Sequence, residues 1–169
     1  DSVNSQLDIF GSLTPAREGG GDLYDFILRD GKLFFCIGDV SGKGVPAALV
    51  MATTLCQFRI AASHVDDVAK ITTYINRNTC EGNETCIFVT FFMGMLDLSK
   101  GQLRCCNAGH NKPIVIGNGQ GTMDNVQFLD AKPNLPLGVS EDATYEVREY
   151  TLPAGAMQFL YTDGLTEAM

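Results

Sequence analysis

Positive charge is what this sequence has least of: twelve lysines and arginines stand against twenty aspartates and glutamates, a net charge of −8 at pH 7. Nucleic acid and anionic membrane both need a basic face, so neither is expected as a partner. An acidic protein that handles phosphate must take its positive charge from elsewhere, and divalent cations are the usual source. The first ten residues lack the apolar core of a secretory signal, which leads to the expectation of a cytoplasmic protein. The longest apolar stretch, 45–62, carries Gln57, Arg59 and two threonines. It falls short of the ~20 apolar residues of a spanning helix. No membrane insertion is expected, and the stretch reads as a buried core helix. The six cysteines show no CxxC spacing, and none has an arginine six residues downstream. That removes the phosphate-cradling Cys-x5-Arg loop of thiol phosphatases, and buried, reduced thiols are the expectation. Repeats, low-complexity tracts and linkers are absent as well.

What is present fits one domain. A chain of 169 residues buries roughly 70% of its unfolded surface, enough for a sizeable core. The segment to Arg17 reads as extended, with Gly19-Gly20-Gly21 marking a sharp backbone feature. Strands are predicted over 22–28 and 32–39, joined by an Asp30-Gly31 turn. Helices follow over 46–62, with Pro46 in its first turn, and over 66–78, where Asp66 or Asp67 suits the N-terminus. Strands then dominate: 86–98, 102–107, 113–117, 126–129, 145–152 and 157–161, the fourth and third of these flanking a glycine-rich turn at 117–121. Grouped strands with two central helices favour an α+β sandwich over an alternating parallel sheet.

The first hairpin carries the chemistry. With Asp30 and Gly31 as its loop, Arg29 faces Lys32, Leu28 faces Leu33, Phe26 faces Phe35, Tyr24 faces Ile37 and Asp22 faces Asp39. One face of the ribbon is apolar, with two carboxylates at its far end. Cross-strand partners have Cβ atoms ~4.5–5.5 Å apart, and like charges there repel. Such a pair at the rim of a buried face calls for a shared proton or a cation. Either acid alone reads equally well as a solvated strand end. Against that, Asp39 leads into Val40-Ser41-Gly42-Lys43-Gly44, a loop able to turn a carbonyl toward a cation. Asp163 likewise ends an apolar strand before a glycine. Hard cations such as Mg²⁺ and Mn²⁺ prefer such oxygen ligands.

Several stretches, taken in order, resemble a known family. They are Arg17-Glu18-Gly19-Gly20-Gly21-Asp22-Leu23-Tyr24-Asp25, Gly38-Asp39-Val40-Ser41-Gly42-Lys43-Gly44-Val45-Pro46-Ala47-Ala48, Asn107-Ala108-Gly109-His110-Asn111-Lys112-Pro113, Leu135-Pro136-Leu137-Gly138, and Tyr161-Thr162-Asp163-Gly164-Leu165-Thr166-Glu167-Ala168. Together they resemble the sporulation and stress-response (SpoIIE/RsbU-like) branch of the PP2C-type (PPM) phosphatases. The resemblance implies an α-β-β-α sandwich, two antiparallel sheets flanked by helices. It implies a protein serine/threonine phosphatase that uses water activated at a binuclear Mn²⁺/Mg²⁺ centre. It further implies that Asp39 bridges both ions, the Val40 carbonyl and Asp22 serve the first, and Asp163 serves the second. The implied substrate is a phosphorylated regulatory protein, such as an anti-sigma factor antagonist, and a sensor domain is expected upstream. The resemblance implies a last acidic ligand in a C-terminal motif beyond Met169. The expectation is therefore one PP2C-like domain over 1–169, incomplete at its C-terminus, with the second metal site incomplete.

The 38–44 stretch is one residue short of a P-loop, and Gly44 stands where its Ser/Thr belongs. His110, in a glycine-asparagine-proline loop, reads as a structural loop histidine, with substrate handling or proton transfer as the alternative. His64 reads as a helix-end residue. Lys43 suits phosphate contact or solvent equally. Two further functions stay open: a non-catalytic phosphoprotein-binding or scaffold domain of the same fold, and a hydrolase of small phosphoesters.

Overall fold

The computed structural model describes residues 7–13, 21–117, 126–129 and 133–166. The expected features at Gly19 and Gly20 and most of the 117–121 turn lie outside these residues. Two antiparallel sheets stack, and a pair of helices covers one of them. The first sheet runs β1-β2-β3-β4-β7, from β1 (Asp22–Arg29), β2 (Lys32–Val40), β3 (Val89–Asp97), β4 (Gln102–Ala108) and β7 (Arg148–Thr151). The second runs β6-β5-β8, from β5 (Ile114–Ile116), β6 (Val126–Phe128) and β8 (Met157–Phe159). The helices are α1 (Gly44–Ala62), α2 (Val68–Cys80) and the single turn α3 (Asp163–Thr166). Every strand pair within the sheets is antiparallel, as the grouping of strands indicates.

Two apolar layers hold this together. Between the first sheet and the helices lie Leu23, Phe34, Cys36, Phe91 and Met93 from the strands, with Phe58, Ile71 and Ile75 from α1 and α2. Between the sheets lie Leu33, Phe35, Ile37, Phe92 and Leu103, with Val115 of β5 packed against them. β2 and β3 are thus greasy on both faces and read as continuous apolar runs. Asp67 caps α2, its carboxylate accepting from the amides of Ala69 (3.0 Å) and Lys70 (3.1 Å). Arg29, at the end of β1, donates to the carbonyls of Ala62 (3.1 Å) and Val65 (3.3 Å) and lies over the ring of Phe34. A cation at the carboxyl end of α1 complements its dipole and pins the helix to the hairpin turn.

Three expectations change on contact with the structure. The helix over 44–62 is no buried core helix. It buries Ala47, Thr54, Phe58, Ala61 and Ala62 and leaves Val45 72% exposed, with Leu49 and Ile60 also outward. Its sequence is apolar all round, so composition cannot tell which face is covered. The apolar face of the hairpin is likewise buried only on its β2 half. β1 is the sheet edge, and Tyr24, Phe26 and Leu28 stay exposed, Phe26 at 44%. The cysteines divide too: Cys36, Cys105 and Cys106 are buried, Cys80 is half-buried, Cys56 and Cys86 are exposed, and all six are free.

Candidate functional site

Backbone register builds half of the site. The Asp30-Gly31 turn adopts φ of 52° and 71°, the left-handed pair that closes a two-residue hairpin. The register that follows sets Asp22 opposite Asp39 and Arg29 opposite Lys32, as the turn residues predict. Both acids are half-buried at one end of the sheet. The chain then leaves β2 through a fixed loop. The Val40 amide donates to the Gly21 carbonyl (3.0 Å), the Ser41 amide to the Phe88 carbonyl (2.8 Å), and the Phe88 amide to Ser41 Oγ (2.8 Å). Gly42 (φ 92°) and Gly44 (φ 75°) let it turn sharply into α1.

The other half comes from the second sheet. β8 leads through Leu160, Tyr161 and Thr162 to Asp163, the first residue of α3. Carboxylate oxygens of Asp22, Asp39 and Asp163 all lie within 4.8 Å of one another. Glycine at 21 is what allows this approach. A Cβ there would stand 2.4 Å from the Val40 carbonyl oxygen and 2.8 Å from Asp39 Oδ1. Any other residue would push the loop off the cluster. Three acids this close repel unless cations or protons sit among them. The donor set is all oxygen, the chemistry of Mg²⁺ and Mn²⁺ rather than of thiophilic metals. The donor chemistry of these three carboxylates fits the hard divalent ions that the family resemblance implies.

The sequence undervalued His110. It is only 7% exposed. Its Nδ1 lies 3.0 Å from Thr90 Oγ1 and its Nε2 lies 3.1 Å from the Tyr161 carbonyl. Burial pushes its pKa down to about 4, the Tyr161 carbonyl and Asp163 opposing the shift, so the ring is neutral near pH 7. Its partners stand 20 and 51 residues away in sequence, and only the fold brings them together. The available signal was the burial expected of a loop between apolar strands 102–107 and 113–117. His64 does sit at the helix end as expected, its Nδ1 donating to the Ile60 carbonyl (3.1 Å). Lys43 precedes α1 as its N-cap residue, is exposed and makes no side-chain cap.

The family model of Stage II sporulation protein E (SpoIIE) matches residues 29–169. The chain belongs to the SpoIIE family. It is 31% identical over 164 residues to the phosphoserine phosphatase RsbU of Bacillus subtilis, covering 95% of this chain and 47% of that protein. Its fold superposes on the RsbU and RsbW domains of Rv1364c from Mycobacterium tuberculosis with a TM-score of 0.77 and 28% identity, covering 88% of this chain and 40% of the other. The PP2C phosphatase domain of SpoIIE from Bacillus subtilis, solved with a fragment of its regulatory domain, matches with a TM-score of 0.74 and 25% identity, covering 90% and 45%. The SpoIIE-family chain described here therefore spans less than half the length of each of these relatives. The α+β fold with two antiparallel sheets is that of its PP2C-like neighbours.

Proposed function

We propose that this SpoIIE-family domain is a metal-dependent protein phosphatase that hydrolyses phosphoserine or phosphothreonine on a regulatory protein. The observation that carries the reading is the convergence of three carboxylates, from β1, β2 and the start of α3, within 4.8 Å. In this reading Asp39, whose carboxylate lies within 4.8 Å of those of both Asp22 and Asp163, would serve both ions. Asp22 and the Val40 carbonyl would join it in holding one Mn²⁺ or Mg²⁺, and Asp163 would hold the second. When bound, such ions supply a water of lowered pKa and neutralise charge building on the phosphoryl oxygens. The chain's own part is to hold the acids in place: the β1–β2 ladder fixes two, and the Val40 and Ser41 amide bonds stop their loop from drifting. The phosphoserine phosphatase RsbU, similar across nearly the whole chain, supports a phosphoprotein substrate. The regulator would be a phosphorylated anti-sigma factor antagonist, with a sensor domain controlling the phosphatase. Six free thiols suit the reducing cytoplasm, where we place the reaction.

The test, on the protein extended through the C-terminal acidic motif of the full domain, compares phosphate release from a phosphoserine peptide and from a small aryl phosphate, with Mn²⁺ and with chelator, in wild type and Asp39→Asn. Chelation should abolish turnover, the peptide should be preferred, and Asp39→Asn should cost far more than tenfold. A variant that folds and keeps more than about a tenth of the wild-type rate would remove Asp39 from the bridging role. A preference for the aryl phosphate would make the chain a small-phosphoester hydrolase instead.

A further inference from the structure

Asp22 and Asp39 share one hairpin, whereas Asp163 comes from the other sheet, on a helix of four residues. Something must set the distance between the two sheets at this end. We infer that His110, with Thr90, is a positioning residue that ties the strand pair carrying Asp39 to the segment carrying Asp163. The inference rests on the reading of the acid cluster as a metal centre.

The geometry is specific. Thr90 is the residue opposite Asp39 in the β2–β3 register. Tyr161 stands two residues before Asp163. Between them lies the His110 ring, 3.0 Å from Thr90 Oγ1 and 3.1 Å from the Tyr161 carbonyl. A carbonyl only accepts, so Nε2 carries the proton and Nδ1 is left as an acceptor. The Thr90 hydroxyl therefore donates to Nδ1. It has one proton, and the Asp39 carbonyl at 3.5 Å is the more distant acceptor. The result is a directed chain from Thr90 through the neutral imidazole to the backbone that delivers Asp163.

The ring is itself held from behind. Asn107 is buried, and its side chain uses both ends on the His110 backbone. Its Oδ1 accepts from the His110 amide (2.7 Å) and its Nδ2 donates to the His110 carbonyl (2.9 Å). The Asn107 carbonyl accepts in turn from the Asn134 amide (2.8 Å) and Nδ2 (3.1 Å). Gly109 makes the bend between them at φ 72°, where a Cβ would stand 2.8 Å from Pro136 Cγ. Asparagine, glycine and histidine in this order thus form a bracket that aims one imidazole across the gap between sheets. Groups that orient metal-binding residues in this way typically change metal affinity 10–100-fold when removed.

The test uses Mn²⁺ binding, measured by calorimetry and electron paramagnetic resonance, on His110→Phe, His110→Gln and Thr90→Val alongside wild type. His110→Phe fills the space without either hydrogen bond and should weaken Mn²⁺ binding about tenfold or more. His110→Gln offers one donor and one acceptor and should recover part of that loss. Thr90→Val keeps the shape, breaks one bond and should weaken binding about threefold. In an Asp163→Asn background the His110→Phe change should cost little further affinity, because the residue it positions no longer binds as before. If His110→Phe does not fold, Thr90→Val and His110→Gln carry the comparison. Folded variants that bind Mn²⁺ within twofold of wild type would overturn the tie alone. A wild type that binds no Mn²⁺ would overturn the metal-centre reading, and this role with it.

Discussion

The two sheets of this domain are built to different standards. In the first, β1 to β4 are seven to nine residues long, and Phe34, Phe91, Phe92 and Met93 are sealed from solvent. In the second, all three strands have three residues, and Val126, Phe128, Met157 and Phe159 are exposed, Phe128 at 61%. The acid cluster straddles that divide. Asp22 and Asp39 are placed by a backbone ladder with a core on either side, whereas Asp163 is placed by a short segment and a side-chain tie. A site assembled in this way has one rigid wall and one adjustable wall. Affinity for ions and response to perturbation should be decided mainly at the adjustable one.

The sharpest way to break this comparison is to cut equal volumes from each sheet. Phe34→Ala removes a ring wholly buried between sheet and helices, beneath Arg29. Its unfolding free energy by urea titration should fall by about 3–5 kcal/mol. Phe159→Ala, on the exposed face of the second sheet, should cost less than about 1 kcal/mol. Equal losses would mean that the second sheet is as firmly packed as the first.

A pH titration of stability probes the join between the sheets. His110 has a folded pKa of about 4 against an ordinary 6.5, so the unfolded chain takes up the proton first. The stability held by the neutral ring is fully present above pH 6.5 and drains away as pH falls toward 4. The loss amounts to roughly 3 kcal/mol over that window. Urea midpoints for wild type and His110→Gln, measured from pH 7 to 4.5, should converge as the pH drops. Parallel curves would show that the ring titrates like an exposed histidine.

The smallest effect belongs to the helical cover of the first sheet. Asp67→Ala deletes the cap on α2 and should lower stability by about 1 kcal/mol. Asp67→Asn, which keeps an acceptor oxygen, should restore most of it. No recovery would assign the loss to charge rather than to the cap.

How far the sequence revealed these differences depends on where the determining contacts lie. The hairpin register was legible because two adjacent residues, Asp30 and Gly31, set it, and the pairing of Asp22 with Asp39 followed. The N-cap of α2 was legible for the same local reason. The strand expected from residue 86 begins instead at Val89, because Cys86 takes a left-handed φ of 54° in a loop folded about Asn83. β7 begins at Arg148 rather than at 145, since Tyr145 turns in to the core beneath the helices. The outer face of α1 was illegible because a helix apolar on every side gives no clue to its covered stripe. All three acids of the cluster were named from the sequence, yet the histidine between their segments looked like an ordinary loop residue. Its meaning lies in Thr90 and Tyr161, which no local pattern connects to it.

The two-residue turn also has a consequence in time. A hairpin closed by so short a loop forms in ~1–10 µs, long before distant segments are gathered. Asp22 and Asp39 therefore meet early, while Asp163 belongs to the last segment of this sequence to be made. For that interval the chain carries a pair of facing carboxylates whose repulsion works against the hairpin that pairs them. A divalent cation captured by the pair would favour the correct register at the moment when slipping costs least. The ions proposed for catalysis would then also be ligands of the folding chain, helping to set the register of the strands that later hold them.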